Sequence, residues 1–170
     1  MRIAGILHES IVDGPGVRFV VFAQGCPHGC PGCHNPETWD TAGGENRTIQ
    51  ELMREIRRSP TWVKGITLSG GEPFGQAEEM AELAQRARRK GYSVVTYTGY
   101  TYEELMEKAG EDGAVARLLD ETDILVDGPF IEGERDIALR FCGSANQRVI
   151  AMAQTRQTGS VVLLPAEGKK

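Results

Sequence analysis

The sequence predicts an α/β fold built around a largely parallel sheet, and two observations lead to this prediction. Short runs rich in β-branched residues alternate with segments whose apolar residues recur at helical spacing, which is the pattern of βαβ units. Most of these runs are continuously apolar, as in parallel strands covered on both faces. A chain of 170 residues suits one domain, so we expect a single domain over residues 1–170, with residues 167–170 as a frayed tail.

Six segments are predicted to be strands because they are short, apolar and rich in valine and isoleucine. In chain order they are residues 18–24, 65–69, 93–97, 124–127, 148–152 and 161–164. Because helical segments separate most of them, we expect neighbouring strands to run parallel.

Four segments between the strands are predicted to be helices, since their apolar residues recur every three or four positions. They are residues 48–58, 76–90, 101–109 and 114–119. Thr48 and Glu51 stand in the spacing of a capping box. Thr101 and Glu104 repeat that spacing, so each pair predicts where a helix begins.

The composition is that of a globular protein, with 40% hydrophobic and 25% charged residues. A formal net charge of −5 argues against nucleic acid as a partner, because binding to phosphates needs a basic surface. No apolar run is long enough to span a membrane, so no membrane association is expected. The first residues lack the apolar segment of a signal peptide, and we therefore expect a cytoplasmic protein.

A cluster of cysteines follows the first predicted strand. Cys26, Cys30 and Cys33 have the spacing C-x3-C-x2-C, whereas the fourth cysteine, Cys142, is far away. A cubane iron–sulfur cluster has four irons, each of which takes a ligand. Three local thiolates would leave one iron free to bind a reactant. The spacing therefore predicts a 4Fe–4S cluster with one open iron, and it leaves Cys142 as a small buried side chain.

Zinc is the main alternative at this point, since His28, His34 or Cys142 could complete a tetrahedral set with the three thiolates. Structural zinc sites usually join two separated ligand pairs, however, and the sequence has no second pair. A cluster that only carries electrons would need a fourth cysteine ligand. His28 could equally be an ordinary polar loop residue, whereas His34 directly follows Cys33 and could flank a ligand on the open iron.

Three further loops also follow predicted strands. Residues 69–73 (SGGEP) follow the second strand, residues 97–100 the third and residues 127–130 the fourth. The carboxyl ends of parallel strands share one edge of a sheet, so we expect these loops and the cysteine loop to form one site. Paired glycines at a strand end allow a ligand to approach the backbone closely, and no phosphate-binding motif follows them.

Together these motifs resemble the radical S-adenosylmethionine enzymes, which combine C-x3-C-x2-C with a Gly-Gly-Glu-Pro loop. Residues 12–18 (VDGPGVR) and 33–39 (CHNPETW) are similar to the activating enzymes of glycyl-radical proteins. Three more segments are similar to the family that activates the anaerobic (class III) ribonucleoside-triphosphate reductase: residues 97–100 (YTGY), 126–130 (VDGPF) and 143–148 (GSANQR). Gly32 stands where the superfamily usually has an aromatic residue.

The resemblance implies a partial (β/α) barrel with a mostly parallel, curved sheet. It implies that Cys26, Cys30 and Cys33 hold the cluster and that S-adenosylmethionine binds the open iron. The methionine part would lie on the backbone of residues 70–72, and the adenosyl part would lie near residues 32–34. The cofactor-binding residues expected from the resemblance are Gly32, Cys33, His34, Gly70, Gly71, Glu72 and Thr98.

The resemblance also implies the reaction and its partners. One electron from an unidentified low-potential donor would cleave S-adenosylmethionine to methionine and a 5′-deoxyadenosyl radical. That radical would take a hydrogen atom from the glycine-bearing loop of the reductase's large catalytic subunit. No side chain of this chain is expected to act as a general base, because cluster and cofactor carry the chemistry. Two alternatives stay open: an activase of another glycyl-radical enzyme, such as pyruvate formate-lyase, and a non-catalytic metal-binding module.

Several polar residues are predicted either to shape the rim that receives this loop or to hold loops and strand ends together. They are Asp127, Arg140, Asn146, Gln147 and Arg148. Trp39 and Trp62 are predicted to be packing residues, and the sequence assigns no role to His8.

Overall fold

A computed structural model describes residues 1–165 of the chain as an α/β fold with one seven-stranded sheet. The strands are β1 (Arg2–Ser10), β2 (Val17–Ala23), β3 (Glu45–Asn46), β4 (Val63–Gly70), β5 (Ser93–Tyr97), β6 (Ile124–Asp127) and β7 (Arg148–Ala151). The α-helices are α1 (Ile49–Arg58), α2 (Ala77–Arg88), α3 (Tyr102–Glu111), α4 (Gly113–Glu121) and α5 (Met152–Thr158). The tail expected at residues 167–170 lies outside the described residues.

The centre of the sheet is parallel and its margins are antiparallel. The strand order is β3-β1-β2-β4-β5-β6-β7, and the pairs from β2 through β6 run parallel. β1 pairs antiparallel with both β2 and β3, and β7 pairs antiparallel with β6. The prediction of a largely parallel sheet is thus confirmed for the four central strands, while the sheet as a whole is mixed.

Both predicted capping boxes are present. The Thr48 side chain accepts a hydrogen bond from the backbone N–H of Glu51, whose own side chain bonds the Thr48 N–H, and Thr101 and Glu104 do the same. Each pair therefore fixes the first turn of its helix, α1 or α3. The predicted helix over residues 76–90 is shorter, because a 3₁₀ turn at Pro73–Gln76 precedes α2.

The two faces of the central strands differ in what covers them. On one face, Phe19 and Val21 of β2 and Ile66 and Leu68 of β4 belong to a fully buried core that includes apolar side chains of α1 to α4. Successive residues of a strand point to opposite faces, so Arg18, between Val17 and Phe19, lies on the other face. Loops, rather than helices, cover that second face.

Arg18 fastens one of these loops to the sheet. Its side chain is 1% exposed, and its guanidinium donates hydrogen bonds to the carbonyl oxygens of Pro15, Ile66 and Ser93 and to the hydroxyl of Thr67. Burial lowers the pKa of Arg18 to about 10. The loop before β2 is thereby held against β4 and β5, at the face where the cysteine loop also lies.

The structure differs from the sequence-based prediction at both ends of the chain. The predicted strand over residues 161–164 is wrong: Leu163 forms a single bridge to Ile150, because the turn at Gly159 precedes the segment and Pro165 lacks an N–H. β1 was not predicted, since it contains Gly5 and has register shifts that break its alternation. The helix α5 was also not predicted, and it begins at the last residue of the predicted strand 148–152. No helix within residues 1–165 is long and apolar enough to cross a membrane.

Candidate functional site

The loops that follow β2, β4, β5 and β6 surround one cavity of about 360 Å³. Its wall includes the side chains of all three clustered cysteines. From the other loops it includes Ser69, Gly70, Gly71, Tyr97, Thr98, Gly99, Gly128 and Phe130. The prediction that the strand-end loops form one site is confirmed.

Backbone hydrogen bonds fix both ends of the cysteine loop. The N–H of Gly25 donates to the carbonyl of Thr38 over 2.7 Å, and the N–H of Cys26 donates to the carbonyl of Trp39 over 3.2 Å. At the other end, the N–H of Asn35 donates to the sulfur of Cys33 over 3.4 Å. These hydrogen bonds hold the loop in a shape that places Cys26, Cys30 and Cys33 in the cavity wall.

The three clustered thiols are all available as ligands. All four cysteines are free and half-buried. Burial raises the pKa of the Cys26 thiol, and hydrogen bonds from the backbone of His28 and Gly29 oppose this rise. In the described part of the chain, no three His, Cys, Asp or Glu side chains converge on a point where one metal ion would bind. Each thiolate of a cubane binds its own iron, so a cluster does not require that convergence.

The paired glycines after β4 lie directly on the end of β2. The N–H of Gly71 donates to the carbonyl of Ala23, and the N–H of Glu72 donates to the carbonyl of Gly25, each over 2.8 Å. A Cβ at Gly71 would lie 2.4 Å from the Gly25 oxygen, and Gly70 has a φ of +90°. Only glycine fits this approach, which brings the loop after β4 against the first residue of the cysteine loop.

The carboxylate of Glu72 forms hydrogen bonds with other groups of the protein. Its carboxylate is fully buried and accepts hydrogen bonds from the N–H groups of Phe74 and Gly99 at 3.0 Å. It also accepts from the hydroxyl of Thr98 at 3.0 Å and from Nε2 of His28 at 2.7 Å. These donors fill most of the acceptor capacity of the two oxygens. The carboxylate of Glu72 therefore has little capacity left to bind a cofactor.

Thr98 has a similar position. Its hydroxyl donates to Glu72 and accepts a hydrogen bond from the N–H of Tyr100 over 3.1 Å, and the residue is 5% exposed. Thr98 lies in the cavity wall, as expected, but its hydroxyl is already bonded on both sides. The loop after β5 is thus tied to the loop after β4.

The opposite wall of the cavity is aromatic. The rings of His34 and Phe130 lie 5.2 Å apart at an angle of 46°, and both residues line the cavity. A Cβ at Gly143 would lie 3.0 Å from the Phe130 ring, so glycine leaves room for this pair. Gly32, in contrast, is exposed beside the side chain of Glu132.

Three residues of the cavity wall, Asp13, His28 and Trp39, were not among the predicted cofactor-binding residues. Asp13 lines the cavity and accepts a hydrogen bond from Ser10, and the motif VDGPGVR around it was the available signal. For His28, the available signal was its position between Cys26 and Cys30. Trp39 lines the cavity too, and its buried Nε1 has no hydrogen-bond partner among residues 1–165, which nothing in the sequence indicates. The packing prediction is wrong for Trp62, which is 57% exposed.

Most of the remaining polar candidates support loops. Gln147 donates to the carbonyl of Gly128 over 3.0 Å and accepts from the N–H of Gly143 over 2.8 Å, while also lining the cavity. Asn146 donates to the carbonyl of Pro129 over 2.8 Å. These contacts join the loop after β6 to the loop before β7 and so position Phe130.

At the same edge, the buried carboxylate of Asp127 pairs with the partly exposed guanidinium of Arg148. Asp127 is 1% exposed and accepts from Nε of Arg148 over 3.0 Å and from the N–H of Tyr102 over 2.7 Å. The hydrogen bonds that Arg148 donates to the carboxylates of Asp127 and Glu103 raise the pKa of Arg148. The pair therefore joins β6, β7 and the start of α3. Arg140 lies with its guanidinium 5.1 Å from the ring centre of Phe141.

Cys142 lies apart from the three clustered cysteines. It contributes to two neighbouring grooves, together with Leu139 and Phe141. Burial, with a smaller effect of Asp127, raises the pKa of Cys142 to about 11. Cys142 is thus separate from the cysteine cluster, as predicted, but it is half-buried rather than fully buried.

The chain matches one family model and is similar to several known proteins. A family model described as a 4Fe-4S single cluster domain matches residues 12–150. The anaerobic ribonucleoside-triphosphate reductase-activating protein of Vibrio cholerae is 35% identical over 144 residues, which are 81% of this chain and 89% of that protein. The protein of the same name in Escherichia coli K12 is 34% identical over 146 residues, or 82% and 91% of the two chains.

A second group of relatives matches a smaller part of the chain. The pyruvate formate-lyase-activating enzyme of Clostridium pasteurianum is 38% identical over 114 residues. That match covers 62% of this chain and 48% of the enzyme. The similarity therefore covers most of the reductase-activating proteins but only about half of the pyruvate formate-lyase-activating enzyme.

Proposed function

This chain belongs to the family of anaerobic ribonucleoside-triphosphate reductase-activating proteins, and from that premise we propose that it generates the glycyl radical of the reductase. It is an oxidoreductase that uses a 4Fe–4S cluster and S-adenosylmethionine. When bound, the reduced cluster supplies one electron that cleaves S-adenosylmethionine, and the resulting 5′-deoxyadenosyl radical takes a hydrogen atom from a glycine. The observation that carries the proposal is the cavity in which three thiols meet the loops of three other strands.

In this proposal Cys26, Cys30 and Cys33 hold the cluster. The soft donor set, the hydrogen bond to the Cys33 sulfur and the absence of a disulfide support this assignment. Trp39, in the same wall, adds a buried N–H that has no hydrogen-bond partner among residues 1–165. Since buried donors are almost always paired, this one fits a site completed by a bound group.

The S-adenosylmethionine site is proposed on the remaining wall. Gly70 and Gly71 would receive the methionine part, because both glycines line the cavity. Residues 32–34 would lie along the adenosyl part, with His34 supported by Phe130. Glu72 and Thr98 would act by shaping the wall, since their side chains bond to each other. Water would be excluded from the reactive radical once the cofactor and the partner's loop fill the cavity.

The glycine-bearing loop of the large reductase subunit is the proposed macromolecular substrate. Ile11, Val12 and Ile137 are 76%, 69% and 90% exposed. They line a groove that shares Asp13 and His34 with the main cavity. Exposed apolar side chains of this kind mark protein contacts, which supports entry of a protein segment from this side. The low-potential electron donor would be a separate protein or reductant.

We further propose a partial (β/α) barrel, one domain over residues 1–170, and a cytoplasmic location. The four parallel central strands, with their loops at one edge, support the barrel. The continuous sheet supports a single domain. Four free cysteines suit a reducing compartment.

Anaerobic reconstitution with iron and sulfide tests the function. The loaded protein should show broad visible absorption that bleaches in air, and after reduction it should cleave S-adenosylmethionine to methionine and 5′-deoxyadenosine. A colourless protein that keeps bound zinc in air and leaves S-adenosylmethionine intact would contradict the proposal.

A further inference from the structure

We propose that His28 is a positioning residue: bound to the buried carboxylate of Glu72, it sets the shape of the cysteine loop before any cluster is present. The proposal deepens the proposed function, because it rests on Cys26, Cys30 and Cys33 being the cluster ligands. His28 lines the cavity, and its proposed role is to hold the loop rather than to bind the cluster or the cofactor. It acts through the loop that carries all three thiols.

Between Cys26 and Cys33, His28 has the side chain best suited to anchor the loop through a hydrogen bond. Between Cys26 and Cys33 the chain reads Pro-His-Gly-Cys-Pro-Gly. Apart from the thiol of Cys30, His28 has the only side chain in that stretch able to form a hydrogen bond. Gly29 and Gly32 have φ values of +56° and +70°, which glycine reaches easily but which cost backbone entropy to hold. A side-chain anchor at His28 offsets that entropy.

The position of the His28 ring is built by neighbours from two other loops. Its Nε2 lies 2.7 Å from the Glu72 carboxylate, and its ring packs edge-on against Tyr100 with centroids 4.5 Å apart. A Cβ at Gly99 would lie 2.4 Å from the His28 ring, so the ring fills the space that glycine leaves open. The His28 side chain is 15% exposed.

Glu72 makes this contact costly to lose. Its side chain is completely buried, and burial of a carboxylate is expensive unless donors surround it. The other donors come from Phe74, Thr98 and Gly99, on the loops after β4 and β5. His28 is the donor contributed by the cysteine loop. The carboxylate thus ties together the loops that would hold the cluster and the cofactor, and the tautomer of His28 that bonds to it carries a proton on Nε2.

Hydrogen exchange of the cluster-free, full-length protein tests the proposal without any need for activity. His28→Leu removes the donor and keeps the bulk, and it should speed amide exchange in peptides covering residues 26–33 by about tenfold, the effect of losing a hydrogen bond to a charged group. His28→Gln keeps an N–H donor and should restore slower exchange. His8→Leu, at an exposed position of β1, is the matched control and should match the wild type.

Iron release supplies a second readout in the reconstituted protein. A chelator should remove iron about tenfold faster from His28→Leu than from the wild type, with His28→Gln in between. The variants His28→Leu and Glu72→Gln should not add: the double variant should be no worse than the more severe single one, because both remove the same contact. Loop exchange and iron release equal to those of His8→Leu, or fully additive effects in the double variant, would overturn the proposal. The exchange rates could change as expected while neither the wild type nor any variant cleaves S-adenosylmethionine. In that case the proposed function fails, but the positioning role of His28 stands.

Discussion

On one face of the central strands, Phe19, Ile66 and Val94 are fully buried under helices, whereas on the other face Arg18, Thr67 and Tyr97 lie under loops. The first face is largely apolar and belongs to one continuous core. The second face carries a buried guanidinium, hydroxyl groups and the wall of the cavity. The same strands therefore supply stability on one face and a binding site on the other.

The difference shows how a small α/β protein can keep a reactive site without weakening its fold. Apolar burial on the helix face is worth roughly 25 cal/mol for each Å² removed from water, and it does not depend on the cluster. Glycines, hydrogen bonds and buried polar groups shape the loop face. Changes on the helix face should therefore lower stability, and changes on the loop face should alter cluster and cofactor binding.

The largest effect is expected at the ligands of the loop face. Cys30→Ala should lose the cluster and with it all cleavage of S-adenosylmethionine, because two thiolates do not replace three. Iron analysis and the visible spectrum after anaerobic reconstitution provide the measurement. Cys142→Ala is the matched cysteine control, and it should keep both. Full iron content in Cys30→Ala would show that the ligand assignment is wrong.

On the helix face, truncation should lower stability and spare the site. Leu83 is fully buried on α2, and Leu83→Ala should cost about 2–5 kcal/mol of the free energy of unfolding. Denaturant unfolding of the cluster-free protein measures this cost, with Leu7→Ala, at a position 44% exposed, as the control. At low temperature the variant should still take up a full complement of iron. Loss of cluster binding in folded Leu83→Ala would mean that the two faces are not separable.

A smaller effect is expected where the loop after β4 meets the cysteine loop. Gly71→Ala places a Cβ 2.4 Å from the Gly25 oxygen, so the loops must separate. We expect the KM for S-adenosylmethionine to rise about tenfold, from a strain of about 1–3 kcal/mol. Gly75→Ala is the matched control, since nothing lies within 4 Å of its added methyl. Equal KM values in the two variants would contradict close packing at Gly71.

The smallest effect concerns the pH dependence of stability. Burial raises the pKa of Cys142 to about 11, whereas an unfolded thiol titrates near ~8.5. The folded form therefore binds the proton more tightly, so this contribution is complete below the unfolded pKa and is lost as pH rises toward about 11.

Comparison of the wild type with Cys142→Ala over this range isolates the contribution, because all other groups titrate in both proteins. The wild type should lose more stability than Cys142→Ala between pH ~8.5 and pH ~10.5, as measured by denaturant unfolding of the cluster-free proteins. Parallel stability curves would show that the Cys142 thiol has an ordinary environment.

Much of the fold could be predicted because local signals agreed with it. The bounds of β5 and β6 match the prediction, and both capping boxes start their helices where expected. Periodicity and capping act over a few residues, so a single sequence displays them. β1 was missed because Gly5 and its irregular pairing with β2 break the alternation that marks a strand.

The sequence indicated the cysteines of the candidate site, but it did not indicate the hydrogen bonds that hold the loops of the site together. The spacing of Cys26, Cys30 and Cys33 is a local signal, whereas the contact between His28 and Glu72 joins residues 44 positions apart. The unpaired Nε1 of Trp39 likewise depends on its three-dimensional surroundings. Such long-range contacts leave no mark on spacing or composition, which is why His28 could not be told from an ordinary loop residue.

The central claim is that the cavity of the loop face serves to place a radical on a partner reductase. The direct measurement mixes the reduced, cluster-loaded protein and S-adenosylmethionine with the anaerobic reductase in one sample and with a pyruvate formate-lyase in another, and records EPR spectra. The account predicts a glycyl-radical doublet with the reductase that is absent when S-adenosylmethionine is omitted. A doublet with the lyase and none with the reductase would contradict it.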